Sequence, residues 1–456
     1  MPQPELRQHA VLSSEGLNSR SLRGARQVPF YNLIPKQAPL LAGSIYLACH
    51  AYTIPLFEAG PSWVIWPKLD DFATILLALT VWVFSPRTHL TSHWRAFERS
   101  LLWANLFTFA SFIFLVVLGG GGEREVNTGL FQSLRVAQYS IVFVCFVRIG
   151  QGARFVRPML RVVLAVWAFI FVVSLSCFLG WLRPVTLASH LLGDPASAGA
   201  WGKLLFAPAG LLQGPLGYSN TYMGCQMTLL GVLLAFGRRR STVMRSIVLL
   251  LTFIVVFLSG ARAALVGFLC ASALAALTAK WRILLIVGAT LGLPLLYAVA
   301  PPRWVDLADS TVRRQEGLTT IGQESSFAER VVIWGDKLYY IKENPSVLIL
   351  GLGWGRMGET GANAHMLPLQ ILMETGVIGL AFFFFLMRSL LRALWNSGEI
   401  GQSLALATLG LLVTSAAQEV FYPIPSMGSF LGVFLALCGL AAAARLDPST
   451  HRGGVQ

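Results

Sequence analysis

The chain has 456 residues, of which 55% are hydrophobic and only 12% are charged, and its formal net charge is +14. Soluble globular domains average about 25% charged residues, so this composition excludes an ordinary soluble enzyme and a disordered chain. The long, continuous apolar runs also disfavour a porin-type barrel, whose strands alternate apolar and polar residues. The composition therefore predicts an all-α, polytopic membrane protein.

Apolar runs divide the chain into membrane spans and connections. A spanning helix needs about 20 mostly apolar residues. The sequence predicts twelve spans, at 39–57, 72–84, 100–118, 130–148, 162–182, 215–236, 246–260, 263–279, 283–300, 366–387, 401–418 and 427–444. The resulting segments are a tail (1–38), nine spans (39–300), a long loop (301–365), three spans (366–444) and a second tail (445–456).

Basic residues are concentrated in alternate short connections. Of the 35 Lys and Arg residues, 22 lie on the side of both termini and five lie in the opposite short loops. Because cytoplasmic loops carry an excess of Lys and Arg, both termini are predicted to be cytoplasmic and the loop 301–365 external. This distribution follows membrane topology, so no nucleic-acid partner is expected. The six Cys lie in apolar runs, which disfavours disulfides and a Cys-based metal site.

The long loop contains one predicted helix, residues 326–343. Ser326 followed by Glu329 resembles a capping box. An apolar stripe recurs at spacings of four and three, and it consists of Phe327, Val331, Trp334, Leu338 and Ile341. Arg330 and Lys337 flank this stripe. Two interpretations stay open: the helix lies on the membrane with its cations beside the headgroups, or it packs on the spans with solvated charges.

The next segment, GLGWGRMGETGANAH at 351–365, contains five Gly and predicts a mobile loop. Asn363 is a candidate cap for the following helix, which would place His365 in the first helical turn. The partial positive charge of a helix N-terminus favours anions and disfavours imidazolium. His365 would then stay neutral and able to accept a proton, although a polar interface residue is the alternative.

Other polar residues lie near the ends of predicted spans. Arg262, in LSGARAALVGF, lies at an external boundary, either as a functional cation or as an interfacial Arg. Tyr218 and Asn220, in GPLGYSNTYMG, either line a hydrated cavity or belong to an interfacial belt. Glu374 lies inside the tenth span. The motifs GxxxxGK, HExxH and GxSxG are absent from the sequence, which disfavours an ATP-driven pump.

Several of these motifs resemble a known superfamily. Arg330-x-x-x-Trp334, ENP at 343–345, the Gly-rich run and NAHMLPLQILMETGVIGL at 363–380 resemble the C-terminal signature of the O-antigen ligase and polymerase superfamily of bacterial integral-membrane glycosyltransferases. SGAR at 259–262 resembles the earlier arginine motif of that superfamily. The strong matches cover about 259–380, and the sequence is most similar to the O-antigen ligases.

The resemblance implies a fold like that of C-type glycosyltransferases, in the bacterial inner membrane, with no cofactor and no metal. It implies transfer of a polysaccharide from undecaprenyl pyrophosphate to a sugar hydroxyl of lipid A–core on the periplasmic face. His365 would be the catalytic residue. The substrate-binding residues implied are Arg262, Arg330, Arg314, Tyr218 and Asn220, and the choice among Arg313, Arg314 and Arg330 as the second phosphate ligand stays open.

Other functions fit the same features. An O-antigen polymerase would extend the glycan on its own lipid carrier, and a protein O-oligosaccharyltransferase would act on a protein acceptor. A transporter or flippase for an anionic amphiphile belongs to a different class. It is disfavoured because the two halves of the chain show no obvious repeat. The partners expected from the leading interpretation are the undecaprenyl-pyrophosphate-linked glycan, lipid A–core and membrane lipids.

Overall fold

The computed structural model describes residues 34–50, 69–85, 90–117, 122–150, 153–178, 181, 220–237, 241–278, 309, 325–356, 364–423 and 430–444. Within these residues there are thirteen α-helices and no strand. The prediction of an all-α polytopic membrane protein is confirmed.

The helices follow the predicted spans closely. They are α1 (Ile34–Cys49), α2 (Leu69–Phe84), α3 (Ser92–Val117), α4 (Glu123–Ile149), α5 (Ala153–Phe178), α6 (Asn220–Phe236), α7 (Thr242–Leu258), α8 (Arg262–Thr278), α9 (Ser325–Glu343), α10 (Pro345–Leu350), α11 (Leu367–Trp395), α12 (Gly398–Thr414) and α13 (Phe430–Ala444). Eleven predicted spans overlap a helix, and the ninth, 283–300, lies outside the described residues. By length and composition, α3, most of α4 and α5, and α11 can each cross a bilayer.

Small residues allow close helix packing, as is common in membranes. A Cβ added to Gly410 of α12 would overlap the backbone carbonyl of Gly267 in α8. The same contact continues to the ends of both helices, because the Thr414 hydroxyl donates a 3.1 Å hydrogen bond to the Ala263 carbonyl. The start of α8 therefore lies beside the end of α12.

One end of the bundle, here called the loop face, is where α3 and α12 end and where α4, α6, α8 and α11 begin. Several contacts bring these ends together. Leu115 near the end of α3 lies against Gly353, and Gly129 near the start of α4 lies against Gly355. The chain reverses between α7 and α8 at Gly260, whose φ of +64° favours glycine.

α11 is interrupted at Gly376, whose φ is +66°. The interruption frees backbone carbonyls, and the preceding Gly-rich segment satisfies two of them: the N–H groups of Leu352 and Gly353 donate to Met373 and Glu374 at 2.8 and 2.9 Å. Residues 351–355 are buried. The prediction of a mobile loop is wrong for this part, because its backbone completes the hydrogen bonds of a broken helix.

α9 confirms the predicted helix at 326–343, but its orientation differs from the expectation. Its inward side carries Trp334, Lys337 and Ile341, whereas Val331 and Leu338 of the apolar stripe are exposed. Lys337 is only 3% exposed, so neither headgroup contact nor solvation describes it. Arg330 and Lys337 face the bundle, where the carboxyl groups of Glu374 and Glu419 lie, whereas the acidic residues of α9 (Glu329, Asp336 and Glu343) are exposed.

Candidate active site

The segment that follows α12, Ser415–Glu419, connects elements that are distant in sequence. The N–H of Leu367, the first residue of α11, donates a 3.0 Å hydrogen bond to the Ser415 carbonyl. The Tyr222 hydroxyl of α6 donates a 3.0 Å hydrogen bond to the Glu419 carbonyl. With the contact between Thr414 and Ala263, these bonds bring α6, α8 and α11 to one place on the loop face.

His365 lies beside the carboxyl group of Glu419. Its backbone N–H donates a short hydrogen bond to Glu419 Oε1. Its ring Nδ1 is 3.5 Å from Glu419 Oε2 and makes no hydrogen bond among the described residues. The His365 side chain is 36% exposed, whereas that of Glu419 is 2% exposed. The buried Glu419 carboxyl group therefore accepts a hydrogen bond from the main chain of His365 and also faces the His365 ring.

His365 is not in the first turn of α11, contrary to the prediction. The helix begins at Leu367 with Met366 as its N-cap, and Asn363 lies outside the described residues. The His365 ring faces the carboxyl group of Glu419, with 3.5 Å between Nδ1 and Oε2. His365 also adopts a φ of +51°, a left-handed conformation that is uncommon for residues other than glycine.

Two helices, α9 and α11, hydrogen-bond to the backbone of Ala364, the residue that precedes His365. The indole N–H of Trp334 in α9 donates to the Ala364 carbonyl at 2.7 Å. The Ala364 N–H donates to Gln370 Oε1 in α11 at 2.8 Å. A left-handed residue costs on the order of 1–3 kcal/mol and persists only where its surroundings fix it. These bonds supply that restraint, and the imidazole position depends on both α9 and α11.

Arg330 of α9 lies at the same segment. Its Nη1 donates a 3.1 Å hydrogen bond to the Ala417 carbonyl, two residues before Glu419. Burial lowers the pKa of Arg330, and the negative charge of Glu419 opposes this effect. Guanidinium remains protonated at any physiological pH. Arg330 and His365 are thus both positioned around Glu419, 35 residues apart along the chain.

For the other predicted site residues, the structure describes fewer contacts or none. Arg262 is the first residue of α8 and is half-buried at the loop face, and its neighbour Ala263 contacts Thr414. Asn220 is the first residue of α6. Nothing is described of its side chain, and Tyr218 and Arg314 lie outside the described residues.

A buried polar network lies beneath this site. Glu374 of α11 accepts hydrogen bonds from Tyr422 at 2.5 Å and from Gln370 at 2.6 Å. Tyr422 also lies 3.0 Å from Gln132 Oε1 of α4. Burial lowers the pKa of Lys337, while Glu374, and then Glu419, oppose the change. Through Gln370, this network reaches the Ala364 N–H and hence the backbone beside His365.

Sequence analysis missed Glu419, Gln370 and the inward position of Lys337. Glu419 did carry a signal, because it is the only acidic residue between Gly401 and Phe430 and it follows an apolar run. The same argument that selected Arg262, an ionisable residue at the boundary of a span, selects Glu419. No comparable signal exists for Gln370.

The fold defines a class, namely the multi-pass, all-α membrane proteins. Residues 247–384 match the family model described as O-antigen ligase. This match confirms the superfamily resemblance and indicates a membrane glycosyltransferase-like function of the O-antigen ligase or polymerase type. The matched region includes Arg262, Arg330 and His365 and ends before Glu419. No curated protein matches the chain.

Proposed function

We propose that the protein is an O-antigen ligase. It transfers a polysaccharide from undecaprenyl pyrophosphate to a sugar hydroxyl of lipid A–core in the bacterial inner membrane, with both termini cytoplasmic and the loop face periplasmic. The observation that carries the proposal is the convergence of His365 and Arg330 around Glu419. This arrangement places a candidate base, the partly exposed His365 ring, near a cation, the Arg330 guanidinium.

His365 is the proposed general base. A carboxylate that accepts a hydrogen bond from Nδ1–H fixes the tautomer in which Nε2 carries the lone pair. The distance of 3.5 Å from Nδ1 to Glu419 is long for that bond, but catalytic hydrogen bonds often shorten when substrate binds. Nε2 then accepts the proton of the acceptor hydroxyl as its oxygen attacks the anomeric carbon.

Arg330 and Arg262 are the proposed ligands of the diphosphate. The bond from the anomeric carbon to the diphosphate oxygen breaks, and undecaprenyl pyrophosphate leaves with the electron pair. Guanidinium groups bind phosphate oxygens in a bidentate manner and keep their charge, so this scheme needs no metal ion and no cofactor. A preorganised donor to a developing anion contributes about 3 kcal/mol. One direct displacement inverts the anomeric configuration.

The experiment uses purified protein with a labelled undecaprenyl-pyrophosphate-linked glycan and three separate acceptors: lipid A–core, a second donor molecule and a pilin-like protein. Transfer to lipid A–core alone supports the ligase. Extension of the donor identifies a polymerase, and transfer to the protein identifies an O-oligosaccharyltransferase. Movement of the intact donor across a liposome membrane without turnover would identify a transporter and refute the proposal.

Arg262→Ala tests the second arginine. We expect weaker donor binding and slower turnover together, because the variant removes a charge that contacts the diphosphate in both the bound and the reacting state. Unchanged donor binding and unchanged turnover would remove Arg262 from the site and leave Arg330 as the proposed ligand.

A further inference from the structure

The two helices α3 and α11 are joined by side-chain hydrogen bonds at the end of the bundle opposite the loop face. The Trp94 indole N–H donates to the Ser397 hydroxyl at 2.8 Å. Less than two turns further along α3, the hydroxyl groups of Ser100 and Ser389 form a 3.2 Å hydrogen bond. Because the numbering rises on α3 while it falls on α11, the helices are antiparallel, and the start of α3 lies beside the end of α11.

Each of these helices exposes a pair of arginines at this end. The pairs, together called the arginine patch, are Arg95 and Arg99 on α3 and Arg388 and Arg392 on α11. Residues four apart lie on the same face of a helix. The guanidinium groups of Arg99, Arg388 and Arg392 form no hydrogen bond or ion pair with another described residue, whereas Arg95 Nε donates to the Leu90 carbonyl at 2.7 Å. Most charged donors of the patch are therefore available to a ligand.

The arginine patch lies near one boundary of the membrane. Arg99 is 18 residues before Val117, the last residue of α3, and Arg388 is 21 residues after Leu367, the first residue of α11. At 1.5 Å per residue, these separations are about 27 and 32 Å along the helices. The hydrocarbon core of a bilayer is about 30 Å thick, so the patch lies at the level of lipid headgroups, on the side opposite the loop face.

From the arginine patch toward the membrane interior, the exposed sides of both helices become apolar. On α3 the exposed side continues with Leu102, Trp103 and Leu106, and on α11 it continues with Phe384 and Phe385. Both helices thus present cations at the headgroup level and large apolar side chains beside them. This order is complementary to a phospholipid, which has an anionic headgroup and acyl chains.

We infer that the arginine patch binds a diphosphatidylglycerol, an anionic phospholipid with two phosphate groups, whose acyl chains lie along the exposed apolar sides of α3 and α11. Each arginine pair supplies guanidinium groups to one phosphate, as the bidentate geometry of arginine favours. Basic groups between membrane helices are a known basis for recognising such headgroups. Exposed acidic groups nearby, Glu98 of α3 and Glu399 of α12, leave the four arginines in excess.

The inference is independent of the proposed function, because the patch lies about one bilayer thickness from the candidate active site. Topology alone also concentrates arginines at a cytoplasmic boundary. α5 provides that case at the same end of the bundle, where Arg157 and Arg161 are exposed and four residues apart. They form one pair on one helix, whereas the arginine patch joins two pairs across a contact between helices.

The test measures lipid binding to the purified, delipidated protein by native mass spectrometry. The three probes are tetraoleoyl diphosphatidylglycerol with two phosphates, dioleoyl phosphatidylglycerol with one, and dioleoyl phosphatidylcholine, which is zwitterionic. The variant Arg99→Gln/Arg392→Gln removes one cation from each pair of the patch. Arg157→Gln/Arg161→Gln is the matched control, because it removes the same charge from exposed positions at the same end of the bundle.

We expect the unmodified protein to bind diphosphatidylglycerol at least about tenfold more tightly than phosphatidylcholine, and Arg99→Gln/Arg392→Gln to weaken diphosphatidylglycerol binding by at least about tenfold. The control variant should change it by less than about twofold. Equal losses in the two variants would reduce the patch to general surface charge and overturn the inference. Phosphatidylglycerol binding as tight as diphosphatidylglycerol binding, or no preference over phosphatidylcholine, would also overturn it.

Photolabelling of the unmodified protein provides a test that does not depend on a folded variant. A diphosphatidylglycerol with a diazirine in one acyl chain should label the exposed positions Trp103 and Phe385, beside the arginine patch, in preference to Phe169 and Val172, which are exposed on α5. An excess of phosphatidylcholine should not reduce this labelling. Equal labelling of α3, α5 and α11 would show a nonspecific lipid layer and overturn the inference.

Discussion

Two polar clusters in this bundle differ in how their hydrogen bonds are completed. In the first, Arg135 of α4 forms a bidentate ion pair with Asp71 of α2, and Gln138 bridges this pair to Thr74 at 3.0 Å. In the second, Glu419 holds the backbone of His365, but the ring Nδ1 makes no hydrogen bond among the described residues.

The difference distinguishes a structural role from the catalytic role that we propose for His365. The cluster of Asp71 and Arg135 satisfies its own donors and acceptors, so it can join α2 to α4 without offering a position to a ligand. The pair of His365 and Glu419 has a partly exposed member with unused hydrogen-bonding capacity. Other buried side-chain atoms, such as Ser111 Oγ and Trp354 Nε1, also lack a hydrogen bond among the described residues, so His365 is distinguished by its partly exposed ring beside a carboxyl group.

His365→Ala should have the largest effect on transfer. Loss of a positioned base typically costs about 10²–10⁴-fold in rate. Donor binding should change little, because in the proposed scheme the arginines rather than the imidazole contact the diphosphate. Single-turnover transfer with labelled donor measures the first quantity, and equilibrium binding measures the second.

His93→Ala is the matched control, because His93 lies at the opposite end of α3 from the loop face. Transfer by His365→Ala at the rate of His93→Ala would show that His365 is not the base.

Glu419→Gln should have the second largest effect. The amide keeps the size of the side chain but no longer provides a charged acceptor for Nδ1–H. We expect a loss of about 10²-fold in kcat with little change in KM, smaller than in a tightly bonded triad because the observed contact is long. Glu399→Gln, at the other end of α12, is the control. A change confined to KM would instead assign Glu419 to substrate binding.

Arg330→Lys should have a smaller effect than either. Lysine keeps the charge but loses the planar fork that binds two phosphate oxygens. Donor affinity should fall by about tenfold, which corresponds to the loss of one charge-assisted hydrogen bond. Arg388→Lys, an exposed position of α11 far from the loop face, should bind the donor like the unmodified protein. Unaltered affinity in Arg330→Lys would show that the fork is unnecessary.

Arg135→Gln should leave transfer per folded molecule unchanged while it lowers stability. Removal of one member of a buried ion pair leaves the other uncompensated and costs about 3–5 kcal/mol. Thermal unfolding in detergent measures the stability, and activity normalised to folded protein measures the transfer. A reduced rate in the folded fraction would show that this cluster is coupled to the reaction, which would weaken the contrast between the two clusters.

Length and hydropathy predicted most of the helices. Eleven spans and the helix at 326–343 were recognised because a bilayer requires long apolar segments and because an amphipathic helix has a regular period. The reversal at Gly260 was also predictable, since two apolar runs met there without enough chain for a longer connection.

Details that depend on tertiary partners were not predictable. The break at Gly376 lies inside a segment that hydropathy predicts as one continuous span, and its freed carbonyls are satisfied by a segment more than 20 residues earlier. The rotation of α9 follows from Trp334 and Arg330 binding backbone carbonyls of Ala364 and Ala417. Helical periodicity identifies an apolar stripe, but it does not identify which side of the helix finds partners.

The candidate site was predicted in part. Arg330 and His365 were selected through motifs, and the structure places both near one segment. Glu419 contributes from 54 residues beyond His365, a separation over which neither spacing nor periodicity carries information.

A double-variant cycle between His365 and Glu419 tests the central claim most directly. If Glu419 acts by orienting the imidazole, adding Glu419→Gln to His365→Ala should slow single-turnover transfer by less than about twofold, although Glu419→Gln alone costs far more. Losses that multiply in the double variant would show that the two residues act independently, and the proposed base and its orienting carboxylate would be contradicted.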